Sequence, residues 1–318
     1  MKKIRNILKK SGLFWVLVAA IVVMGIYNPR FLSLMNFVNL AQRMAFVGIV
    51  ACGMTFVIIT GGIDLSVGSV QAISAFIMAK LFVIYRLPLG LAIISTLVIC
   101  TVLGIVSGTL ISRARIPAFI VTLGFLQTYR ALSEVVNQAQ PIGGIPRVLS
   151  WWVIGRAFGI FPPIFLIWVG IVLVFWFVEK RLRLGRYMFV IGGNAEAGQL
   201  SGVNTKAYNV VPYVLTSLLA ALSGILMAGK LTAAIPEVGQ GFELDVIAAV
   251  CIGGVSLMGG RGTMIQVVLG VIFLTVLNNI TVIIGFKDFQ RQILTGIFIL
   301  IAVAISNVGS ERKILPVA

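Results

Sequence analysis

The chain is built from long apolar runs separated by short polar stretches, from residue 13 almost to the C-terminus. A helix of about 20 apolar residues crosses a ~30 Å hydrocarbon core. Alternating apolar and polar segments, which would indicate membrane-spanning strands, do not recur, so helices must satisfy the backbone. The pattern predicts an all-α integral membrane protein with about ten transmembrane helices. Their predicted ranges are 12–27, 38–60, 66–85, 89–112, 117–136, 162–178, 209–229, 243–258, 264–285 and 291–308.

Two of these segments carry weaker signals, and the first has an unusual start. Arg130 and Glu134 interrupt the fifth segment and glycines interrupt the eighth, so either can be a short or re-entrant helix. Basic residues precede the first segment as in a signal peptide, but no small-residue cleavage site follows, so we expect an uncleaved span. No stretch is large enough for a separate soluble domain. Residues 1–318 are therefore predicted to form one transmembrane domain, with halves at roughly 1–160 and 161–318.

The distribution of charge predicts the orientation. With the N-terminus inside, fifteen of the 25 Lys and Arg residues fall in inner segments, six in outer loops and four in or at the ends of spans. Because short inner loops retain Lys and Arg, this favours an N-in, C-in protein. The longest inner segment is 179–208. The longest outer segment, 137–161, contains Trp151 and Trp152, and paired aromatic residues suit a surface helix at the headgroup level.

Composition mainly excludes other classes of protein. Only 11% of residues are charged, against roughly a quarter in soluble domains. The net charge of +16 lies in short clusters between apolar runs and not on a basic face with aromatic residues, which argues against a nucleic-acid partner. The chain has no histidine, and its three cysteines show no metal-ligand spacing. We expect neither a metal nor a cofactor.

Two glycine-rich segments interrupt the apolar pattern. "GGIDLSVGS" at 61–69 aligns loosely with "GGVSLMGGRGT" at 253–263. Weak internal repeats are common in transporters built from two related halves, although chance clustering among 34 glycines gives the same pattern. Non-helical backbone at membrane depth persists only beside protein or water. We therefore expect turn or gate positions in both segments, at Gly61, Gly62, Asp64, Ser66, Gly68, Gly253, Gly254, Gly259, Gly260 and Arg261.

Asp64 is the one carboxylate in the first glycine segment. We expect it at the inner end of a span, where its oxygen can cap a helix that begins near Leu65. Its surroundings should then be water or protein dipoles and not lipid. A second polar pair, Arg130 and Glu134, has i, i+4 spacing, so the two side chains can neutralise one another within a helix bundle.

Three long motifs resemble the permease subunits of ribose-type ABC importers. They are "NFVNLAQRMAFVGIVACGMTFVIITGGIDLSVGS" (36–69), "GRYMFVIGGNAEAGQLSGV" (185–203) and "AAVCIGGVSLMGGRGT" (248–263). The resemblance covers nearly the whole chain, in order and at suitable separation. It departs mildly at Gly198, where the family more often has alanine.

The resemblance implies a ten-helix permease that works as a homodimer in the bacterial inner membrane, surrounded by lipid. Its implied partners are a cytoplasmic ATPase, usually two nucleotide-binding domains fused in one chain, and a periplasmic sugar-binding protein. Its implied cargo is ribose or a related carbohydrate. The sequence agrees that ATP is hydrolysed elsewhere. "GILMAGKL" at 224–231 has the spacing of a phosphate loop, but Leu231 stands where Ser or Thr must reach Mg²⁺.

The resemblance also implies a role for the inner segment 179–208. Part of it resembles the coupling helix that docks in a groove of the ATPase, with Asn194 as the N-cap and small residues for close contact. The alternative is an ordinary solvated loop. The residues implied in coupling are Asn194, Ala195, Glu196, Ala197, Gly198, Leu200, Ser201 and Gly202.

Three polar residues near the outer end of the second span are candidates for the solute pathway. Asn36, Asn39 and Arg43 share one helix face, where they can meet a hydroxyl-rich solute. Capping and headgroup contact explain them equally well. Asn278 and Asn279 are candidates for helix–helix contact first and for the pathway second.

An ion-coupled secondary transporter of a small polar solute is the alternative function. That class usually needs a carboxylate within the membrane. The one mid-span acid, Glu134, has Arg130 beside it, which makes this alternative the weaker one.

Overall fold

The structure is a computed structural model that describes residues 12–287, 289–298 and 300. Its helices are α1 (Gly12–Tyr27), α2 (Leu34–Ile59), α3 (Val67–Ala79), α4 (Leu89–Ser112), α5 (Ala118–Val135), α6 (Arg147–Ile154), α7 (Pro163–Arg181), α8 (Arg183–Gly193), α9 (Ala195–Leu200), α10 (Thr205–Leu231), α11 (Phe242–Gly253) and α12 (Met264–Ile284). A 3₁₀ turn (Pro29–Leu32) precedes α2, and a π-helical turn (Lys80–Ile84) extends α3. Residues 289–298 and 300 are also helical. The prediction of an all-α membrane protein is confirmed.

Six of the described helices are long and apolar enough to cross a membrane. They are α2, α3 with its π-helical turn, α4, α7, α10 and α12. Helix α1 is apolar but has 16 residues, and the two predicted segments with the weakest signals, now α5 and α11, are not among the six. The count of ten spans and the N-in, C-in orientation stay predictions. The basic residues of 1–11, Arg312, Lys313 and the end of the tenth predicted span lie outside the described residues.

Helix α10 lies at the centre of the bundle and packs on α2, α3 and α4. Glycine makes these crossings close: a Cβ added to Gly53 would lie 2.7 Å from the Cα of Thr216, and one added to Gly104 would lie 2.9 Å from the Cβ of Ser217. Since lipid is as apolar as leucine, helices in a membrane associate through such tight contacts and buried polar bonds. The Gln71 amide donates one such bond to the Ser223 hydroxyl, 2.8 Å away.

Segment 137–161, which is predicted to be outer, holds more structure than its sequence suggests. Strand β1 (Ile142–Gly143) pairs antiparallel with β2 (Ala233–Ala234), which follows α10. The predicted surface helix is present as α6, with Trp151 and Trp152 exposed and Leu149 and Val153 buried. The short ladder is a finding of the fold, because two-residue strands leave no alternation to detect.

Arg130 and Glu134 attract one another but do not form a salt bridge among the described residues. The Arg130 guanidinium donates to the carbonyls of Pro236 and Val238, at 3.0 and 2.6 Å, and Glu134 is exposed. Within the described ranges, the ion pair that forms joins Lys180 to Glu179. Buried carbonyl groups in a turn need donors, and the planar guanidinium satisfies two of them together.

Candidate functional site

The two glycine segments contact each other through their backbones. The Gly260 amide donates to the Ile59 carbonyl at 2.8 Å. The end of α8 lies against both segments, because a Cβ on Gly192 would overlap the Ile59 carbonyl oxygen and lie 2.6 Å from the Gly260 nitrogen. Backbones approach this closely only where side chains are absent. We name residues 59–61, 192–193 and 259–260 the glycine junction.

The turns predicted around these glycines are present. Gly61, Gly259 and Gly260 have φ of +82°, +81° and +69°, a region that residues with a Cβ rarely occupy. Gly254 ends α11 in the same left-handed region. A role for these residues in gating stays a hypothesis.

Four other candidates from the glycine segments lie outside the glycine junction. Gly62 lies against the Tyr213 hydroxyl, and Gly253 against the Gln266 carbonyl. Gly68 lies inside α3 and packs on the turn before α11. The Arg261 side chain is exposed.

Asp64 is surrounded by protein, with 1% of its surface exposed. Its Oδ1 accepts hydrogen bonds from the Ser66 amide at 2.9 Å and from the Ser66 hydroxyl at 2.6 Å. Helix α3 begins at Val67, two residues later than predicted, so Asp64 closes a turn before the helix and does not cap it. Burial raises the pKa of the Asp64 carboxyl above its ordinary value, and the bonds from Ser66 act in the opposite direction.

Asp64→Asn is expected to fold with unchanged or higher stability at neutral pH and to keep most transport. Its amide oxygen can accept both bonds from Ser66, and the buried charge is gone. Because the folded state holds the proton more tightly, wild-type stability should fall as pH rises from the ordinary pKa of about 4, and that slope should be smaller in Asp64→Asn. Asp64→Leu leaves the Ser66 amide without an acceptor and should lose roughly 1–3 kcal/mol. Melting temperatures across pH, beside uptake, measure these effects. Loss of uptake in a stably folded Asp64→Asn protein would require a role for the charge.

Helix α9 presents an exposed surface next to the glycine junction. As predicted, Asn194 caps it: its side-chain oxygen accepts from the Ala197 amide at 2.9 Å. Leu200 is 90% exposed, an unusual position for a large apolar side chain. The exposed residues of α9 and its flanks are Asn194, Ala195, Glu196, Ala197, Gln199, Leu200, Ser201 and Gly202.

Gly198 differs from its neighbours because it is buried. A Cβ at this position would lie 2.9 Å from Val190 and 3.6 Å from Thr205. Gly198 therefore packs inside the chain and is not part of the exposed surface of α9.

Glu179 ties the start of the inner segment to the second glycine segment. Its side chain is buried, and its Oε2 accepts from the Met264 amide, the first of α12, at 2.7 Å. The inner segment thus contacts the second glycine region at two places, through Glu179 and through Gly192. Sequence reasoning missed Glu179, because it begins the charged run "EKRLRLGR" and nothing there separates it from solvated charges.

A cavity of about 740 Å³ is lined by residues of α2 and α12, among other elements. These residues lie away from the ends of α2 and α12 that are near the glycine junction. Arg43 lines the cavity, as the pathway prediction requires, but Asn36 and Asn39 do not. Asn36 and Asn279 exchange two side-chain hydrogen bonds, of 3.1 and 2.7 Å, and Asn39 is exposed. The lining residues are Arg43, Phe46, Val47, Met227, Lys230, Gln240, Gly241, Phe242, Leu244, Asp245, Leu274, Thr275, Asn278, Arg291, Gln292, Thr295 and Gly296.

Comparison with known proteins identifies relatives along almost the whole chain. Residues 36–303 match the family described as branched-chain amino acid transport system / permease component. The ribose import permease of Bacillus subtilis (strain 168) is 37% identical over 303 residues, 95% of this chain and 94% of the relative. The ribose import permease of Escherichia coli (strain K12) is 36% identical over 296 residues, 92% of this chain and 91% of the relative. The fructose import permease of Rhizobium meliloti is 34% identical over 302 residues, 92% and 83% of the two chains. No solved structure matches.

Proposed function

The chain belongs to the family of branched-chain amino acid transport system permease components, and from this membership we propose that it is the membrane-spanning subunit of an ATP-driven importer for ribose or a related carbohydrate. It works as a homodimer in the bacterial inner membrane, with a cytoplasmic ATPase of two fused nucleotide-binding domains and a periplasmic sugar-binding protein. Relatives named for ribose and fructose import support the class of cargo. The observation that carries the proposal is the exposed helix α9 placed directly beside the glycine junction.

The junction offers a route from α9 to the cavity. Its contacts are between backbones, so no flexible side chain absorbs a displacement of α8. Helix α2 ends at this region and α12 begins next to it, and both also line the cavity, about 15–24 Å away along each helix. Closure of the ATPase then moves α9, and the junction passes the movement to α2 and α12. Coupling through packed elements of this kind is a recognised mode of allosteric transmission.

We also propose a single domain of ten spans, N-in and C-in, in two related halves. Helix ends that the charge distribution predicts on one side are in contact. On the predicted inner side, the Ser112 hydroxyl donates to the Lys206 carbonyl at 2.5 Å. On the predicted outer side, the Lys80 ammonium donates to the Val136 carbonyl at 2.7 Å.

Leu200→Asp and Ala197→Trp are each expected to weaken co-purification of the cognate ATPase by about tenfold or more, because the first buries a charge in the contact and the second adds bulk where close packing is required. Both side chains are exposed, so the melting temperature of the chain should stay near wild type. Glu196→Gln is the matched control on the same helix and should change binding little, because exposed ion pairs contribute roughly 0–1 kcal/mol. Gly198→Trp would not report on docking alone, because the new side chain would clash with Val190 inside the chain.

Two outcomes would contradict the proposal. Wild-type binding of the ATPase by both variants would remove α9 as the docking element. Sugar uptake by the purified chain in vesicles, driven by a proton or sodium gradient without ATP, would favour the ion-coupled transporter instead.

A further inference from the structure

The cavity carries more positive than negative charge. Arg43 of α2, Lys230 of α10 and Arg291 of the last helical stretch line it, and Asp245 of α11 is its one lining acid among the residues described. Arg43 lies inside α2, a helix long and apolar enough to cross a membrane, where a cationic side chain is costly and usually serves an ion or a substrate. Its position beside two further cations from separate helices therefore needs a physical explanation.

Arg43 repels the other two cations. Arg43 is repelled by Arg291 and attracted by Asp245, and Lys230 is repelled by Arg43. Asp245 is itself shared between Arg43 and Arg291. Across residues 12–287, 289–298 and 300, neither Arg43 nor Lys230 forms a hydrogen bond or an ion pair, and Lys230 is held by the Phe46 ring, whose centroid is 5.5 Å from Nζ. Among the described lining residues, Asp245 is thus the one carboxylate near Arg43, and Lys230 has no carboxylate partner.

The rest of the lining suits a hydroxylated solute. Amide and hydroxyl side chains supply both donors and acceptors, from Gln240, Thr275, Asn278, Gln292 and Thr295. Phe46 and Phe242 add apolar faces. A cavity of this size holds a single small ligand, and its polar groups match a polyol that also carries an acidic group.

We propose that this cavity binds an anion, the carboxylate or phosphate of a hydroxylated solute, so that the carbohydrate imported is a sugar acid or a sugar phosphate. The identification of the solute as cargo rests on the proposed function, whereas the preference for an anion rests on the cavity alone. An anion placed beside Arg43 and Lys230 would balance their charge, and guanidinium groups bind carboxylate and phosphate in a two-pronged geometry. The headgroup phosphate of an anionic lipid has the same chemistry and is the competing source.

The test measures the thermal stability of the purified chain in lipid-free detergent against four probes: D-ribose, D-ribonate, D-ribose 5-phosphate and a short-chain phosphatidylglycerol. We expect ribonate or ribose 5-phosphate to stabilise the wild type at concentrations about tenfold below those that ribose needs. Arg43→Gln and Lys230→Gln should each remove that advantage. Arg86→Gln, an exposed arginine outside the cavity, is the matched control, and Asp245→Asn should keep or increase the advantage.

Each result has a definite meaning. Equal stabilisation of the wild type by ribose and by the two acidic sugars would overturn the proposal, and this arm needs no variant to fold. Stabilisation by phosphatidylglycerol alone would assign the cations to lipid and also overturn it. An anion preference that persists in both Gln variants would place the anion elsewhere. Failure of the wild-type chain to bind the cognate ATPase, or sugar uptake driven by an ion gradient without ATP, would instead refute the importer and leave the anion preference intact, so the two failures are distinguishable.

Discussion

Gly192→Ala is expected to reduce transport by at least about tenfold and to destabilise the chain by roughly 1–3 kcal/mol, the usual cost of forcing an extra methyl group into a packed site. The new Cβ would overlap the Ile59 carbonyl oxygen and crowd the Gly260 amide. Both are backbone groups that cannot rotate away, so α8 must shift and the hydrogen bond between Gly260 and Ile59 must lengthen. The variant therefore disturbs all three segments of the junction.

Gly193→Ala is the matched control for this prediction. It places the same methyl group on the next residue, where nothing lies within 4 Å of the added atom, and we expect wild-type uptake and stability. Uptake by reconstituted importer, ATP hydrolysis in the same vesicles and a melting curve are measured together. Continued ATP hydrolysis without uptake in Gly192→Ala would indicate lost transmission. Wild-type uptake in this variant would show that the junction plays no part in coupling.

Glu179→Ala is expected to produce the second large effect. It removes the acceptor of the Met264 amide, and a buried donor without a partner costs roughly 1–3 kcal/mol. It also frees the start of α12 from the end of α7. Glu179→Gln keeps an oxygen for the amide and loses only the ion pair with Lys180, whose side chain is 45% exposed, so it should lie much closer to wild type.

Lys180→Met completes this comparison, because it breaks the ion pair and leaves the acceptor of Met264 intact. If the tie to α12 matters, stability and uptake should fall in Glu179→Ala and stay near wild type in Lys180→Met. Denaturation curves and uptake assays on the three variants decide between the two contacts. Equal losses in Lys180→Met and Glu179→Ala would assign the effect to the ion pair.

Gly192 and Glu179 lie near the two ends of α8. Gly192 joins the end of this helix to α2 and to the second glycine segment, and Glu179, just before its start, joins α7 to α12. Under the proposed coupling, a movement of α9 would be transmitted to α2 and α12, which also line the cavity. If the cavity holds an anion, Arg43 on α2 and Asn278 on α12 are placed to change their separation when those helices move.

The sequence by itself determined that this protein lies in a membrane, that it is helical, and that Asn194 caps α9. Apolar runs long enough to cross lipid leave helices as the regular structure, and the predicted segments 12–27 and 89–112 coincide with α1 and α4. The capping of α9 by Asn194 was also readable, because the bond joins residues three positions apart. A hydrogen bond between residues so close in sequence can be predicted without knowing how the helices pack.

Only the tertiary structure decided which distant residues meet. Glu179 with Met264, Asn36 with Asn279, Arg130 with the carbonyls before α11, and Gly260 with Ile59 are all far apart along the chain. In a soluble protein an apolar stripe tells which face of a helix is buried. In lipid, apolar side chains face both the bilayer and the other helices, so hydrophobicity does not reveal the packing face. The glycine junction and the cationic cavity follow from helix packing, which small residues and buried polar groups select in three dimensions.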